Sequence, residues 1–183
     1  PRVRAVAFFA LYLGCELVGI AAAVWIWMRR RKAPPAVWRD SNASLQRRWT
    51  SALMGGALWT FGMRVTVEGA DVAARGPFLL FVRHSSTADT VLAAALVANP
   101  HRVLLRYVLK RELLWDPCLD IVGQRLPNAF VHRGGKNRGA EVAAVVALTD
   151  DLGPADGVLI YPEGTRFSPS KLARARETLA DRP

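Results

Sequence analysis

Phe78–Asp89 reads FLLFVRHSSTAD. Its first five residues, Phe78 to Val82, are apolar or aromatic without a break. That is the pattern of a strand buried on both faces inside a parallel sheet. The run stops at Arg83-His84-Ser85-Ser86-Thr87, which is turn and helix-cap chemistry. Asp89 follows and opens a helix-forming stretch, TVLAAALVA. A histidine thus stands at the carboxyl end of a strand, with a carboxylate five residues on. In open α/β sheets that edge is where sites are built.

The spacing of His84 and Asp89 limits how they can meet. Five residues apart, they point to opposite faces of a continuous strand. On a continuous helix they lie roughly 140° apart. The chain must turn between them, and Ser85-Ser86-Thr87 allows it. Asp89 in a first helical turn stays ionised beside the positive end of the helix dipole. It can then accept the proton on one ring nitrogen of His84 and leave the other as a base. The plainer alternative is a capping aspartate beside a turn histidine.

Outward from this pentad, 183 residues with a 51% hydrophobic fraction predict one core-forming domain plus an appendage. The net charge of +10 is uneven. Residues 1–48 hold nine Lys/Arg and two acids, and the rest of the chain is close to balanced. A basic collar at the amino-terminal end follows, not a nucleic-acid-binding body. Two cysteines, Cys15 and Cys118, form neither a disulfide framework nor a metal-ligand pattern, and no metal is expected. The chain opens on Pro1, so its true start is expected upstream.

Ala5 to Met28 is apolar apart from Glu16. At about 24 residues it exceeds the ~20 needed to span a bilayer. Arg29-Arg30-Arg31-Lys32 follows, and by the positive-inside rule that flank and all that comes after it are expected on the cytoplasmic side. Glu16 needs a partner, a proton or a shallow placement, since a carboxylate in mid-membrane costs on the order of 2–3 kcal/mol. Residues 1–32 are accordingly read as a membrane-anchoring helix with a basic flank. After Pro34-Pro35, Asp40 or Ser41 is expected to cap a helix running to Met63. Leu45, Trp49, Leu53 and Trp59, with Arg47-Arg48, suit either a helix at the membrane interface or one packed on the core. Residues 33–62 are read as this interfacial or linker segment, and residues 63–183 as the catalytic domain.

Arg64–Gly69 alternates like a short strand. Arg102–Leu109, Phe130-Val131 and Gly157–Tyr161 read as further strands. Helices are expected over 89–98, 110–123 with a break at Pro117, and 138–151. Strand and helix alternate, so the class is α/β with a mostly parallel sheet flanked by helices. Three strand ends carry polar clusters: His84/Asp89, His132/Arg133 and Glu163-Gly164-Thr165-Arg166. Parallel strands put these on one edge. Arg133 and Arg166 would offer forked donors to a phosphate, Gly164 close backbone approach, and Thr165 a hydroxyl. Glu163 would orient an arginine or a substrate hydroxyl. Each arginine alone is an ordinary surface charge; the argument rests on three clusters at three strand ends.

These residues resemble the glycerolipid acyltransferases typified by lysophosphatidic acid acyltransferase. The family's His-x4-Asp motif matches His84–Asp89, and its Glu-Gly-Thr-Arg motif matches Glu163–Arg166. Its apolar run ending in arginine matches Ala129–Arg133. Lys110-Arg111-Glu112-Leu113-Leu114 is similar to the segment before that run. The resemblance implies a membrane-bound enzyme that moves an acyl chain from an acyl thioester to the hydroxyl of lysophosphatidic acid, giving phosphatidic acid. Another lysophospholipid or a glycolipid is an alternative acceptor, and an inactive, membrane-anchored lipid-binding protein an alternative class. It implies catalytic roles for His84 and Asp89, and substrate binding by Arg133, Glu163, Gly164, Thr165 and Arg166. No cofactor is implied beyond acyl-CoA or an acyl carrier protein as donor. Two positions depart from the family pattern: His132 stands where an acidic residue is usual, and Arg83 where asparagine is frequent. The family's fourth motif is not found in Lys171–Pro183, so the chain is expected to stop inside its catalytic domain.

Overall fold

The computed structural model describes residues 2–86, 88–132, 138–162 and 167–180. Two long helices come first: α1 (Arg2–Arg30) and α2 (Pro35–Phe61). α1 has the length and apolarity to cross a membrane. α2 begins at Pro35, ahead of the Asp40 or Ser41 expected as its cap. Proline suits the first helical position, because its φ is preset and the N–H it lacks would have no helical partner. Ser41 instead lies inside the helix and donates to the Val37 carbonyl at 2.7 Å. Gly62, at φ 65°, closes α2 by donating to the Leu58 and Trp59 carbonyls.

The two helices form an antiparallel hairpin. Phe8 and Phe61 lie with ring centroids 5.4 Å apart at one end, and Ala23 and Ala43 share a core cluster toward the other. Gly19 lets α1 approach the next layer, for a Cβ there would sit 2.6 Å from the Cys118 sulfur. Leu45 and Leu53 of α2 are buried, whereas Trp59 is 81% exposed. One face of α2 therefore packs on protein and Trp59 points away from it.

The sheet has four strands: β1 (Phe78–Phe81), β2 (Leu104–Lys110), β3 (Ala129–Val131) and β4 (Asp156–Ile160). Every pairing is parallel, in the order β1-β4-β2-β3. Strand and helix do alternate, and the α/β class expected from the sequence is the observed one. All four carboxyl ends consequently lie on one edge of the sheet.

Two sequence expectations fail here. Arg64–Gly69 forms no strand: residues 64–68 are exposed and outside regular secondary structure. Alternation makes a strand only where a neighbour accepts its backbone hydrogen bonds, and none of the described strands does. β1 is also not buried on both faces. It is an edge strand whose Leu79 and Phe81 are 50% and 62% exposed, while Phe78 and Leu80 turn toward the core. The buried central strands are β2 and β4, where Val158 and Leu159 are almost inaccessible.

One face of the sheet is covered by the helical stretch after β1. This is α3 (Asp89–Leu92), a wider π-helical turn (Ala93–Ala98) and a 3-10 turn (Asn99–His101). Its small residues Ala93, Ala94 and Ala98 allow close packing on Leu105, Tyr107 and Leu159. Removing such a buried leucine side chain costs about 2–5 kcal/mol. On the same face Gly157 makes room for the Phe78 ring, 2.8 Å from where its Cβ would be. The opposite face carries a cluster of Ala129, Leu148 and Val158. Leu148 belongs to the 3-10 turn that follows α5 (Arg138–Val146).

The expected helix over 110–123 divides at its proline. A 3-10 turn (Arg111–Trp115) precedes α4 (Pro117–Gly123), which Asp116 caps by accepting the Leu119 N–H at 2.9 Å. α4 packs Cys118 and Val122 against the hairpin. Glu16 also finds its partner there. It is 6% exposed and accepts the Trp49 indole N–H and the Cys118 backbone N–H, both at 3.1 Å. The last described element is α6 (Pro169–Ala180), none of whose residues is buried.

Candidate active site

The site is built on the carboxyl end of β1. Val82 continues the ladder past the strand by donating to the Ile160 carbonyl at 3.1 Å. The chain then turns, and the His84 Nδ1 comes to 3.4 Å from Asp89 Oδ2, with side chains 18% and 15% exposed. The two residues separated by five positions do meet.

Asp89 organises the turn between the two residues. Its Oδ2 accepts the backbone N–H of Ser85 at 2.5 Å and of Ser86 at 2.6 Å, and its Oδ1 accepts the Ser86 hydroxyl at 3.0 Å. It therefore shapes the turn and faces the imidazole at once. Burial pushes the Asp89 carboxyl up. The Ser86 and Ser85 amides, the Ser86 hydroxyl and His84 outweigh that and hold it below its usual range. Asp89 is thus a carboxylate at neutral pH, and it faces Nδ1.

Tyr161, the first residue after β4, braces this corner. Its hydroxyl donates to the Asp89 carbonyl at 3.0 Å, and its ring lies 4.9 Å from the His84 ring. Burial, then the Asp89 charge, pushes the phenol up to about 12, so it remains a donor across the physiological range. Phe167 braces the other side. Its N–H donates to the His84 carbonyl at 2.6 Å, and the Arg83 guanidinium sits 4.3 Å above its ring. The departure at Arg83 thus takes the form of a cation–π contact. Sequence reasoning missed both aromatics. The available signal was their position, immediately flanking Pro162–Arg166.

Glu163, Gly164, Thr165 and Arg166 lie outside the described residues, as does Arg133. Tyr161, two residues before the first group, and Phe167, directly after it, both contact His84. His132 precedes Arg133 at the end of β3, where its N–H donates to Glu141 at 3.1 Å. Together with Arg111, Glu112 and Trp115 it lines a cleft of about 450 Å³. The segment that resembles the family's approach to its second motif therefore shares the carboxyl edge of the sheet with His84.

The sequence model of a family described as "Acyltransferase" matches residues 64–181. A 1-acyl-sn-glycerol-3-phosphate acyltransferase epsilon of Mus musculus is 26% identical over 122 residues, which cover 65% of this chain. The chain spans about a third of that relative's length, 33%. No solved structure matches.

Proposed function

The chain belongs to the acyltransferase family, and on that premise we propose that it transfers an acyl chain from an acyl thioester to the free hydroxyl of lysophosphatidic acid. The observation that carries this reading is the His84–Asp89 pair at 3.4 Å on the carboxyl edge of a parallel sheet. Asp89 holds the ring with Nδ1 toward itself. Nε2 of His84 takes the proton of the acceptor hydroxyl as its oxygen attacks the thioester carbonyl. The tetrahedral intermediate collapses, the C–S bond breaks, and the leaving thiolate takes that proton from the imidazolium. General-base assistance of this kind contributes ~10²–10⁴-fold.

The acceptor's phosphate is assigned to Arg133 and to Glu163, Gly164, Thr165 and Arg166. Support comes from their motif match and from the packing of Tyr161 and Phe167 on His84. The relative's printed name supplies the same acceptor class. The donor is acyl-CoA or an acyl carrier protein. α1 is proposed as the membrane anchor, with Arg29–Lys32 on the cytoplasmic side; its apolarity and its basic end support this.

The test is His84→Ala in the full-length protein, assayed with lysophosphatidic acid and acyl-CoA. Transfer should fall by two or more orders of magnitude while membrane association stays. Wild-type protein with no transfer to any lysolipid, from either donor, would sink the enzymatic reading. Arg166→Ala tests the acceptor: KM should rise for a phosphate-bearing acceptor and barely change for one without phosphate.

A further inference from the structure

At the opposite edge of the sheet, beside the amino-terminal end of β2, lies a polar cleft of about 550 Å³. It shares no residue with the His84 site. Arg47 and Arg48 of α2 form one wall, and Arg102, which precedes β2, belongs to the other. The hydroxyls of Ser44 and Ser51 also line it. Asp40 is the one carboxylate present. It is exposed and sits 3.7 Å from Arg47, leaving two cationic charges in excess. Among the described residues, no carboxylate or carbonyl pairs with the guanidinium of Arg48 or Arg102.

The walls are held together. The Asn99 side-chain amide lies within 2.9–3.1 Å of the Arg47 carbonyl, the Thr50 hydroxyl and the Ser51 hydroxyl, bonding the corner before β2 to α2. Arg102 itself occupies the left-handed region at φ 56°. Glycine or asparagine would take that corner at less cost, so the position holds a strained arginine that aims a charge at the cleft's edge. Guanidinium forks, hydroxyls and a fixed corner are the chemistry that recognises a phosphate dianion.

We infer that this cleft is a second binding site, for a phosphate group carried either by a lipid headgroup or by a soluble molecule. The site does not depend on the transferase assignment. The test titrates the full chain, in neutral detergent micelles, with inorganic phosphate and separately with dihexanoyl phosphatidic acid. Binding is followed by the backbone amide resonances of Ser44, Ser51 and Arg102. Saturable shifts at all three are expected, weakened tenfold or more in R48Q/R102Q. They should be unchanged in His84→Ala, which separates this site from the catalytic one, and in R174Q/R176Q, which removes the same charge from α6. Tighter binding of the lipid than of inorganic phosphate identifies a headgroup site, and equal binding a soluble phosphate. Absence of saturable shifts with both probes overturns the proposal. So does equal weakening in the α6 control, because net charge alone would then explain the effect.

Discussion

The side chain of Glu16 accepts a hydrogen bond from the backbone N–H of Cys118, 3.1 Å away and 102 residues later in the chain. This contact, with the Trp49 indole on the same carboxylate, ties the apolar amino-terminal helix to the first turn of α4. The hairpin and the sheet domain are joined by buried polar bonds as well as by the Ala23–Cys118–Val122 packing.

Glu16→Ala leaves the buried Cys118 N–H and the part-buried Trp49 indole N–H without their acceptor. A hydrogen bond to a charged group contributes about 1.5–3 kcal/mol, so thermal unfolding should move down by several degrees. Glu16→Gln keeps one acceptor and should lie between the two. A melting temperature unchanged in Glu16→Ala would show that the contact contributes nothing to joining the layers.

Asp89→Asn probes a carboxylate held below its ordinary pKa of 3.8. For a depressed acid the stabilisation is present in full above the unfolded value and is lost as pH falls through the folded one. The stability gap between wild type and Asp89→Asn should therefore be constant from neutral pH down to about 3.8, then close below it. A gap that opens instead as pH falls would reverse the sign and sink the assignment.

Tyr161→Phe removes only the hydroxyl that donates to the Asp89 carbonyl. A net loss of about 1 kcal/mol is expected, with a several-fold drop in kcat and little change in KM, because the residue positions the pentad and does not bind substrate. The wild-type phenol titrates only near 12, so its contribution should persist to pH 10 and fade between those values. Equal kcat in wild type and variant would dismiss the bracing role.

Arg106 is 5% exposed and reaches Asp156 at 2.8 Å and the carbonyls of Leu148, Asp150 and Asp151. It clamps the loop between α5 and β4. Arg106→Ala abandons a buried carboxylate and should destabilise by about 3–5 kcal/mol. A double variant, Arg106→Met with Asp156→Leu, should recover part of that loss in denaturant unfolding. Two single-variant effects that simply add would exclude a coupled pair.

The amino-acid sequence alone determined that strand and helix alternate, that one helix is long and apolar, and that a histidine and an aspartate flank a turn. These are local facts: side-chain period, cap chemistry and motif spacing carry them, and each is readable within a dozen residues. Local reading failed where a partner decides the outcome. Phe78–Val82 is apolar enough for a central strand, yet β1 lies at an edge because the order of strands depends on what β4 pairs with. Arg64–Gly69 alternates, yet none of the described strands receives it. Glu16 looked like a liability until α4 brought it a backbone donor. Tyr161 and Phe167 carried no motif of their own, and only the β1–β4 pairing placed them on His84. The tertiary structure decided these points because hydrogen-bond partners and covering faces come from residues far apart in the chain.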